Sequence, residues 1–309
     1  MELMKRSCSV CKSKNFIEAY KQPIGSIVGV GDIGYIQHIV ICKECGFCFA
    51  SPILPPEIIS GFYATLSNYE NPQHGGYNPP EEKNKFHRAF ELISKRFPPE
   101  FKGRVLDIGC SVAYGLSLFK EKGWAALGLD PSSQCAELSN KFYGVRVITS
   151  AFSMDILKSE RPFDLIILSH VLEHLVSPQE MIADILELLS ENGLLYIEVP
   201  NLLRPFVPMG YFSFEHLNYF TPVSLASIMG ANGFSVDFLA TFDNSAEVAP
   251  FYPVIASTWK KATRSPDPLM NDYDAAFSTV KNYVETSSHA VERLQAKICL
   301  LYTSPSPRD

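Results

Sequence analysis

The sequence predicts an α/β protein in which a parallel-stranded, nucleotide-binding core follows a small cysteine-rich module. Three observations predict it. Two CxxC pairs, Cys8–Cys11 and Cys42–Cys45, sit in an N-terminal stretch too short to bury a core of its own. Residues 104–130, RVLDIGCSVAYGLSLFKEKGWAALGLD, read as strand, small-residue turn, helix, strand and terminal acid. Two further apolar runs, FDLIILS and LLYIEVP, have the texture of strands buried on both faces, and a helical stretch separates them.

Composition narrows the function classes. The 309 residues allow two domains, and 46% hydrophobic with 19% charged is ordinary for a globular chain. A net charge of -6 argues against a nucleic-acid footprint, which needs a basic face. The opening MELMKRSCSVCKSKN has no apolar h-region, and no run of about 18 apolar residues offers a membrane span. Five of the eight cysteines fall before residue 49 at metal-site spacing, so a reducing cytoplasm is expected.

In the N-terminal module, residues 1–78 with the linker, each CxxC pair can wrap one side of a tetrahedral ion. The expected ligands of a structural Zn2+ are Cys8, Cys11, Cys42 and Cys45. Gly46 suits the knuckle turn after the second pair. Cys48 could replace Cys42, but no glycine follows it. Between the pairs, alternating residues with glycine breaks predict short antiparallel strands. The GxG of IVGVGDIG has no helix after it and reads as turn glycine rather than a phosphate loop.

The core is expected over 79–245. EEKNKFHRAFELISKRF spaces Phe86, Phe90 and Ile93 as a helix that ends at Pro98-Pro99. Val105–Ile108 form the first strand, Gly109 starts a tight turn, and a helix runs to Gly123. WAALGLD is the second strand, ending at Asp130, whose carboxylate can hold ribose hydroxyls. A dinucleotide would want GxGxxG, but Gly109-Cys110-Ser111-Val112-Ala113 lacks the later glycines. Asp107 is also a poor neighbour for a pyrophosphate and suits a cationic ligand such as S-adenosylmethionine. Glu173-His174 are expected to start the helix after the fourth strand in a structural role. Pro178–Leu189 is helical and closes at Asn192-Gly193.

With these elements in order, VLDIGC…LGLDPS, FDLIILSHVLEHL and GLLYIEVPN resemble the class I S-adenosylmethionine-dependent methyltransferases, which have a Rossmann-like core. The resemblance implies that Asp107 faces the methionine amino end, that Gly109 and Ser111 of the turn bind the cofactor, that Asp130 binds the ribose, and that Ala151 and Phe152 lie near the adenine. Ser169 and His170 would border the methionine portion. Ser111 and Ala113 stand where that family usually has glycine, so a tighter loop is expected.

Methyl transfer to a weak nucleophile needs a base and in-line alignment. The segment FSFEHLNYF follows the fifth strand and precedes a capped helix, TPVSLASIMGANGF, with Thr221 at the N-cap and Pro222 at the first helical position. It therefore lies on the carboxyl-end side of the sheet, where His216 can serve as a general base, Glu215 as its orienter and Tyr219 as a second polar contact. A four-cysteine zinc module, this core and an EH-x-x-YF segment together resemble the C-methyltransferases of nucleotide-linked 4-keto-deoxysugars. That resemblance implies that His216 removes a proton alpha to the ketone, that Glu215 adjoins it, and that a linker tyrosine, Tyr69 or Tyr77, helps. That family's HGGS-like segment is replaced here by TFDNSAEVAPFYP. The alternatives are an O- or N-methyltransferase on another small metabolite, or a non-catalytic cofactor-binding module that docks a partner. Neither a nucleic-acid nor a membrane partner is expected.

Residues 246–298 read as the start of a truncated C-terminal domain. Tyr273, Phe277, Val280, Val284, Val291, Leu294 and Ile298 form one helical stripe there. The last residues, CLLYTSPSPRD (299–309), resemble an in-frame translation of a sequencing adapter.

Overall fold

A computed structural model describes residues 2–27, 31–59, 80–205, 211–242, 253–263 and 269–303. In the N-terminal module, β1 (Phe16–Ile27) and β2 (Gly31–Cys42) pair antiparallel, with Phe16 opposite Cys42. The turn between them, including most of the GxG, lies outside the described residues, as do the linker tyrosines Tyr69 and Tyr77. β3 (Cys48–Ala50) extends the sheet beside β2. Strand alternation sorts its residues: Phe49 turns toward the main core, while Cys48 and Ala50 turn to the opposite face.

The core opens with α1 (Pro80–Ser94), followed by β4 (Arg104–Ile108), α2 (Tyr114–Glu121), β5 (Ala125–Asp130), α3 (Ser133–Tyr143) and β6 (Arg146–Thr149). Then come α4 (Met154–Leu157), β7 (Phe163–Ser169), a 3-10 turn (Leu172–His174), α5 (Pro178–Leu188) and β8 (Leu189–Pro200). β9 (Asn218–Tyr219), α6 (Pro222–Ala231), β10 (Phe234–Phe242), β11 (Val254–Lys261) and α7 (Tyr273–Thr303) complete the chain. Seven strands form one sheet in the order β10-β11-β8-β7-β4-β5-β6. β6, β5, β4, β7 and β8 are parallel, and β11 inserts antiparallel beside β8. Val105, Leu106 and Ile108 of the central β4 are all buried, as a strand covered by helices on both faces requires. This is the expected Rossmann-like α/β fold.

Four expectations are corrected. The core does not stop at 245, because β11 inserts between β8 and β10 and buries Ile255, Ala256 and Trp259. Asn192-Gly193 does not close α5, which ends at Leu188; β8 begins at once and carries both residues, past an irregularity in its pairing with β7. A Cβ at Gly193 would stand 3.1 Å from the Phe163 carbonyl oxygen, so close strand approach, not a helix cap, calls for glycine. Glu173 and His174 lie in the 3-10 turn, and α5 starts later, at Pro178.

The fourth correction matters most for function. Residues 1–78 are not a self-contained module, because β9 pairs with β3 and becomes the fourth strand of the N-terminal sheet. Cys48 stands opposite Tyr219, and Phe49 opposite Asn218. One apolar cluster joins Val10, Phe47 and Phe49 of the module to Leu172, Phe220 and Leu225 of the core. On the other face of the same sheet, α7 buries Ala276, Val280 and Tyr283 against Ile39, Ile41, Tyr211 and Tyr219. The last helix therefore packs on the N-terminal sheet. Residues 299–303 continue it, and 304–309 lie outside the described residues.

Candidate active site and thiol cluster

The carboxyl edge of the parallel strands collects most of the expected cofactor residues. After β4 the chain turns through Gly109 at φ 76°, where a Cβ would meet a Val171 methyl at 2.9 Å. Ser111 (φ 50°) and Ala113 (φ 57°) hold the left-handed conformation without glycine, so the loop keeps the shape a glycine-rich turn would have. Its backbone is pinned: Ser111 N–H donates to Asp130 Oδ2 (2.8 Å), and Gly109 N–H to the Leu129 carbonyl (2.8 Å). Asp130 Oδ1 accepts from Ser132 N–H at 3.0 Å, so this acid organises the turn through both of its oxygens. Close packing behind the loop depends on Gly128, whose Cβ would fall 2.5 Å from Cys110 Sγ.

Asp107 is buried in β4. Burial first, and then the negative charge of Asp130, push its pKa up to about 8. Two acids brought together in a poorly solvated place are a cradle for a positively charged group. Ala151, exposed, and Phe152, partly buried, follow β6 along the same edge.

At the next strand end, Ser169 pairs in register with Glu198 of β8. His170 follows at φ 56°, held by its N–H to the Glu198 carbonyl (2.9 Å). Its Nδ1 lies 3.1 Å from Glu173 Oε1 and its Nε2 3.6 Å from Glu198 Oε1. Burial opposes a charge on this ring, but the two glutamates outweigh it and raise the pKa to about 9. Glu198 is likewise penalised by burial, yet His170 and then Arg88 bring it down to about 2. Arg88 Nη2 reaches both Glu198 oxygens at 3.0 Å, and the Tyr196 hydroxyl donates to Oε2 at 2.7 Å. Arg88 and Glu198 were not singled out from sequence. The signal was present, since a glutamate inside LLYIEVP cannot be buried without partners.

His216 and Glu215 lie in the turn before β9, and the structure gives His216 different neighbours from those expected. Its ring meets the His174 ring edge-on, with centroids 4.9 Å apart. Its pKa is lowered to about 3, by burial first and then by His174, with Glu173 pulling the other way. Glu173 is thus a carboxylate that acts on His216. Burial raises the Glu215 carboxyl, and its backbone carbonyl sits 3.1 Å from His174 Nδ1. Tyr219 is buried, and its hydroxyl donates to the His216 backbone carbonyl at 2.8 Å. Glu173 is buried, and Glu173, His174 and His216 bring their ligand atoms within 4.8 Å of one another. A value this low makes His216 a weak base in the protein without ligands, since general-base catalysis is best served by a pKa near the working pH; Glu173 is the neighbour that acts to raise it.

The four expected thiols also come together, with all four Sγ atoms within 4.8 Å of one another. Cys8 Sγ lies 3.5 Å from Cys45 Sγ, and Cys11 Sγ 3.5 Å from Cys42 Sγ. A tetrahedron with Zn–S bonds of about 2.3 Å has edges of about 3.8 Å, so the donor set and its size fit that ion. Both knuckles close with matching turns: Lys12 N–H donates to the Cys8 carbonyl and Gly46 N–H to the Cys42 carbonyl. Gly46 (φ 78°) also lies where a Cβ would meet Tyr273 N at 2.5 Å. Cys48 stays out of the cluster, buried opposite Tyr219.

The family described as "Methyltransferase domain" matches residues 82–238. The C-methyltransferase NovU of Streptomyces niveus is 21% identical over 253 residues, which cover 76% of this chain and 57% of that protein. The ubiquinone biosynthesis O-methyltransferase of Rickettsia felis is 21% identical over 168 residues, 51% of this chain and 69% of its own. The chain thus spans little more than half the length of the first of these relatives. In fold it is similar to the Burkholderia thailandensis 1,6-didemethyltoxoflavin-N1-methyltransferase, solved with S-adenosylhomocysteine (TM-score 0.54, 18% identity, 70% of this chain and 96% of that one). It is also similar to the Synechocystis magnesium protoporphyrin IX methyltransferase, solved with SAH (TM-score 0.51, 14% identity, 67% and 100%). Among the described residues no helix is long and apolar enough to cross a membrane.

Proposed function

The chain belongs to the methyltransferase-domain family, and from that premise we propose that it transfers a methyl group from S-adenosylmethionine to a carbon beside the ketone of a nucleotide-linked 4-keto-deoxysugar. Asp130 would hold the ribose and Asp107 the cationic methionine end. His170, between its two glutamates, would border that end from the next strand. The bound cofactor would supply an electrophilic methyl on a sulfonium. His216 would take the proton alpha to the ketone and keep it as the imidazolium; the electron pair left on carbon would form the new bond to the methyl in line as the sulfur–methyl bond breaks, leaving S-adenosylhomocysteine.

The observation that carries this reading is geometric: a partly exposed imidazole, His216, whose ring nitrogen lies within 4.8 Å of the buried Glu173 carboxylate and of His174. A cofactor pocket for methylating an amine would need only positioning, not a base. The likeness to a C-methyltransferase supports the same choice. The likeness to an O-methyltransferase favours a second reading, in which His216 deprotonates a hydroxyl. Zn2+ held by Cys8, Cys11, Cys42 and Cys45 would serve the fold, because four thiolates leave no open position for chemistry. A soluble cytoplasmic setting suits these thiols.

The test is methyl transfer to a panel of nucleotide-linked 4-keto-deoxysugars and hydroxylated metabolites, with the product methyl assigned by nuclear magnetic resonance. A new carbon-bound methyl supports the proposal. An oxygen-bound methyl replaces it with the second reading.

A further inference from the structure

The N-terminal sheet does more than lie beside the core, because three of its polar groups end on the backbone of residues 216–218. Arg6 is buried two residues before the first cluster thiol, and among the described residues no carboxylate pairs with it. Its guanidinium instead donates to four neutral oxygens. Nη1 reaches the carbonyls of Ala50 (3.2 Å) and Leu217 (2.9 Å). Nη2 reaches the Val176 carbonyl (2.8 Å) and Asn218 Oδ1 (2.7 Å). Asn218 passes the link on, since its Nδ2 donates to the carbonyls of Leu172 (2.9 Å) and Leu175 (2.7 Å), which flank Glu173-His174. Gln37 of β2 is fully buried and donates Nε2 to the His216 carbonyl at 3.0 Å, while its Oε1 has no partner among the described residues. Finally, Leu217 N–H donates to the Glu173 carbonyl at 2.7 Å, and Ala50 N–H to the Leu217 carbonyl at 2.9 Å.

A buried cation without a carboxylate and a buried glutamine with an unpaired oxygen are both unfavourable as packing. Such local breaches of good packing concentrate where geometry serves a function. Here they share one result. Two segments of the core, 172–176 and 216–218, meet through the 2.7 Å backbone bond, the two Asn218 amide bonds and the His174–His216 ring contact, and Arg6 grips both segments, holding Asn218 Oδ1 and the Leu217 and Val176 carbonyls. We propose that Arg6, seconded by Gln37, is a positioning residue that locks residues 216–218 against the 172–176 turn and thereby fixes His216 beside Glu173 and His174. The inference deepens the proposed role of His216 and rests on it for its meaning in catalysis, but the geometry it claims can be measured without any acceptor. The thiol cluster holds this arrangement at two places, since Cys8 follows Arg6 by two residues and Cys42 ends the strand that carries Gln37.

The test is nuclear magnetic resonance titration of the full zinc-loaded chain labelled at histidine, in wild type, Arg6→Lys and Gln37→Leu, with the His216 signal assigned by its loss in His216→Asn. Lysine keeps the charge but cannot span four separated acceptors. In wild type His216 stays neutral down to about pH 3. The groups facing it are His174, Glu173 and His170. In both variants its pKa should rise by a unit or more toward the ordinary value of about 6.5, as the ring swings from His174 into solvent. His170 should still titrate near 9, and affinity for S-adenosylhomocysteine should stay within about twofold, which a general loss of structure would not allow. A His216 titration that coincides with wild type in the variants overturns the proposal. Should Arg6→Lys not fold, the double variant Gln37→Leu/Tyr219→Phe decides, since it removes both side-chain donors to the His216 carbonyl and leaves Arg6 in place. Absence of methyl transfer would defeat the functional reading without touching this result.

Discussion

His174 and His216 meet edge to face with ring centroids 4.9 Å apart, although they come from separate loops on opposite sides of α5 and β8 in the chain. The contact places a neutral imidazole against the turn that carries the buried Glu173.

Asp107 should release a proton when S-adenosylmethionine binds. Its free pKa is about 8, so at pH 7 it is mostly protonated, and a cationic ligand would pull that value down. Proton release on binding means affinity grows as pH rises from 7 to 8. Calorimetry in buffers of different ionisation enthalpy should find close to one proton released, and Asp107→Asn should find none. An affinity flat across this range would contradict the cradle described for Asp107.

The His170 cluster should leave a mark on stability. A histidine whose folded pKa is raised to about 9, from an ordinary value near 6.5, stabilises the fold fully below pH 6.5. That contribution is lost as pH climbs through 9. Thermal melting followed from pH 6 to 9.5 should therefore decline in wild type and decline much less in His170→Gln. Glu198, held at about 2, works in the other direction, and its contribution fades only as pH falls below about 4.3 toward 2.

The thiol cluster predicts which cysteines matter. Cys42→Ser should lower bound zinc from one equivalent and drop the melting temperature, while Cys48→Ser should keep the metal. Elemental analysis of the purified variants checks this. Metal lost from Cys48→Ser and kept in Cys42→Ser would reassign the ligand set.

Gly128→Ala tests the packing behind the cofactor loop. The added Cβ would stand 2.5 Å from Cys110 Sγ and 2.8 Å from a Val147 methyl, inside a buried strand. Overpacking of this kind costs about 1–3 kcal/mol. Denaturant unfolding should show that loss, along with weaker cofactor binding, because Cys110 belongs to the turn. A variant as stable as wild type would mean that the loop has room the structure does not show.

Much of this was legible in the sequence where the signal is local. The βαβ unit with its two acids, the paired thiols and the capped helix after Thr221 all rest on residues close together in the chain. Thr221 does accept from Ser224 N–H, with Pro222 at the helix start. What escaped was non-local. A two-residue strand such as β9 has no periodicity to read, so nothing marked Asn218-Tyr219 as the edge of the N-terminal sheet. Nothing local in the sequence sets Arg6 apart, because its four acceptors lie up to 212 positions away. Adjacency in FSFEHLNYF made Glu215 the obvious partner for His216, yet the turn points to Glu173, a residue far earlier in the chain. Asn192-Gly193 misled for a simpler reason: a glycine that admits close strand approach looks the same in sequence as a helix stop.

The central claim is that His216 removes a carbon-bound proton. The most direct measurement is deuterium uptake from heavy water into a nucleotide-linked 4-keto-deoxysugar, with S-adenosylhomocysteine in place of the methyl donor. Wild type should exchange the proton alpha to the ketone, and His216→Asn should slow that exchange by about 10²- to 10⁴-fold with cofactor affinity unchanged. Exchange at the wild-type rate in His216→Asn would contradict the account.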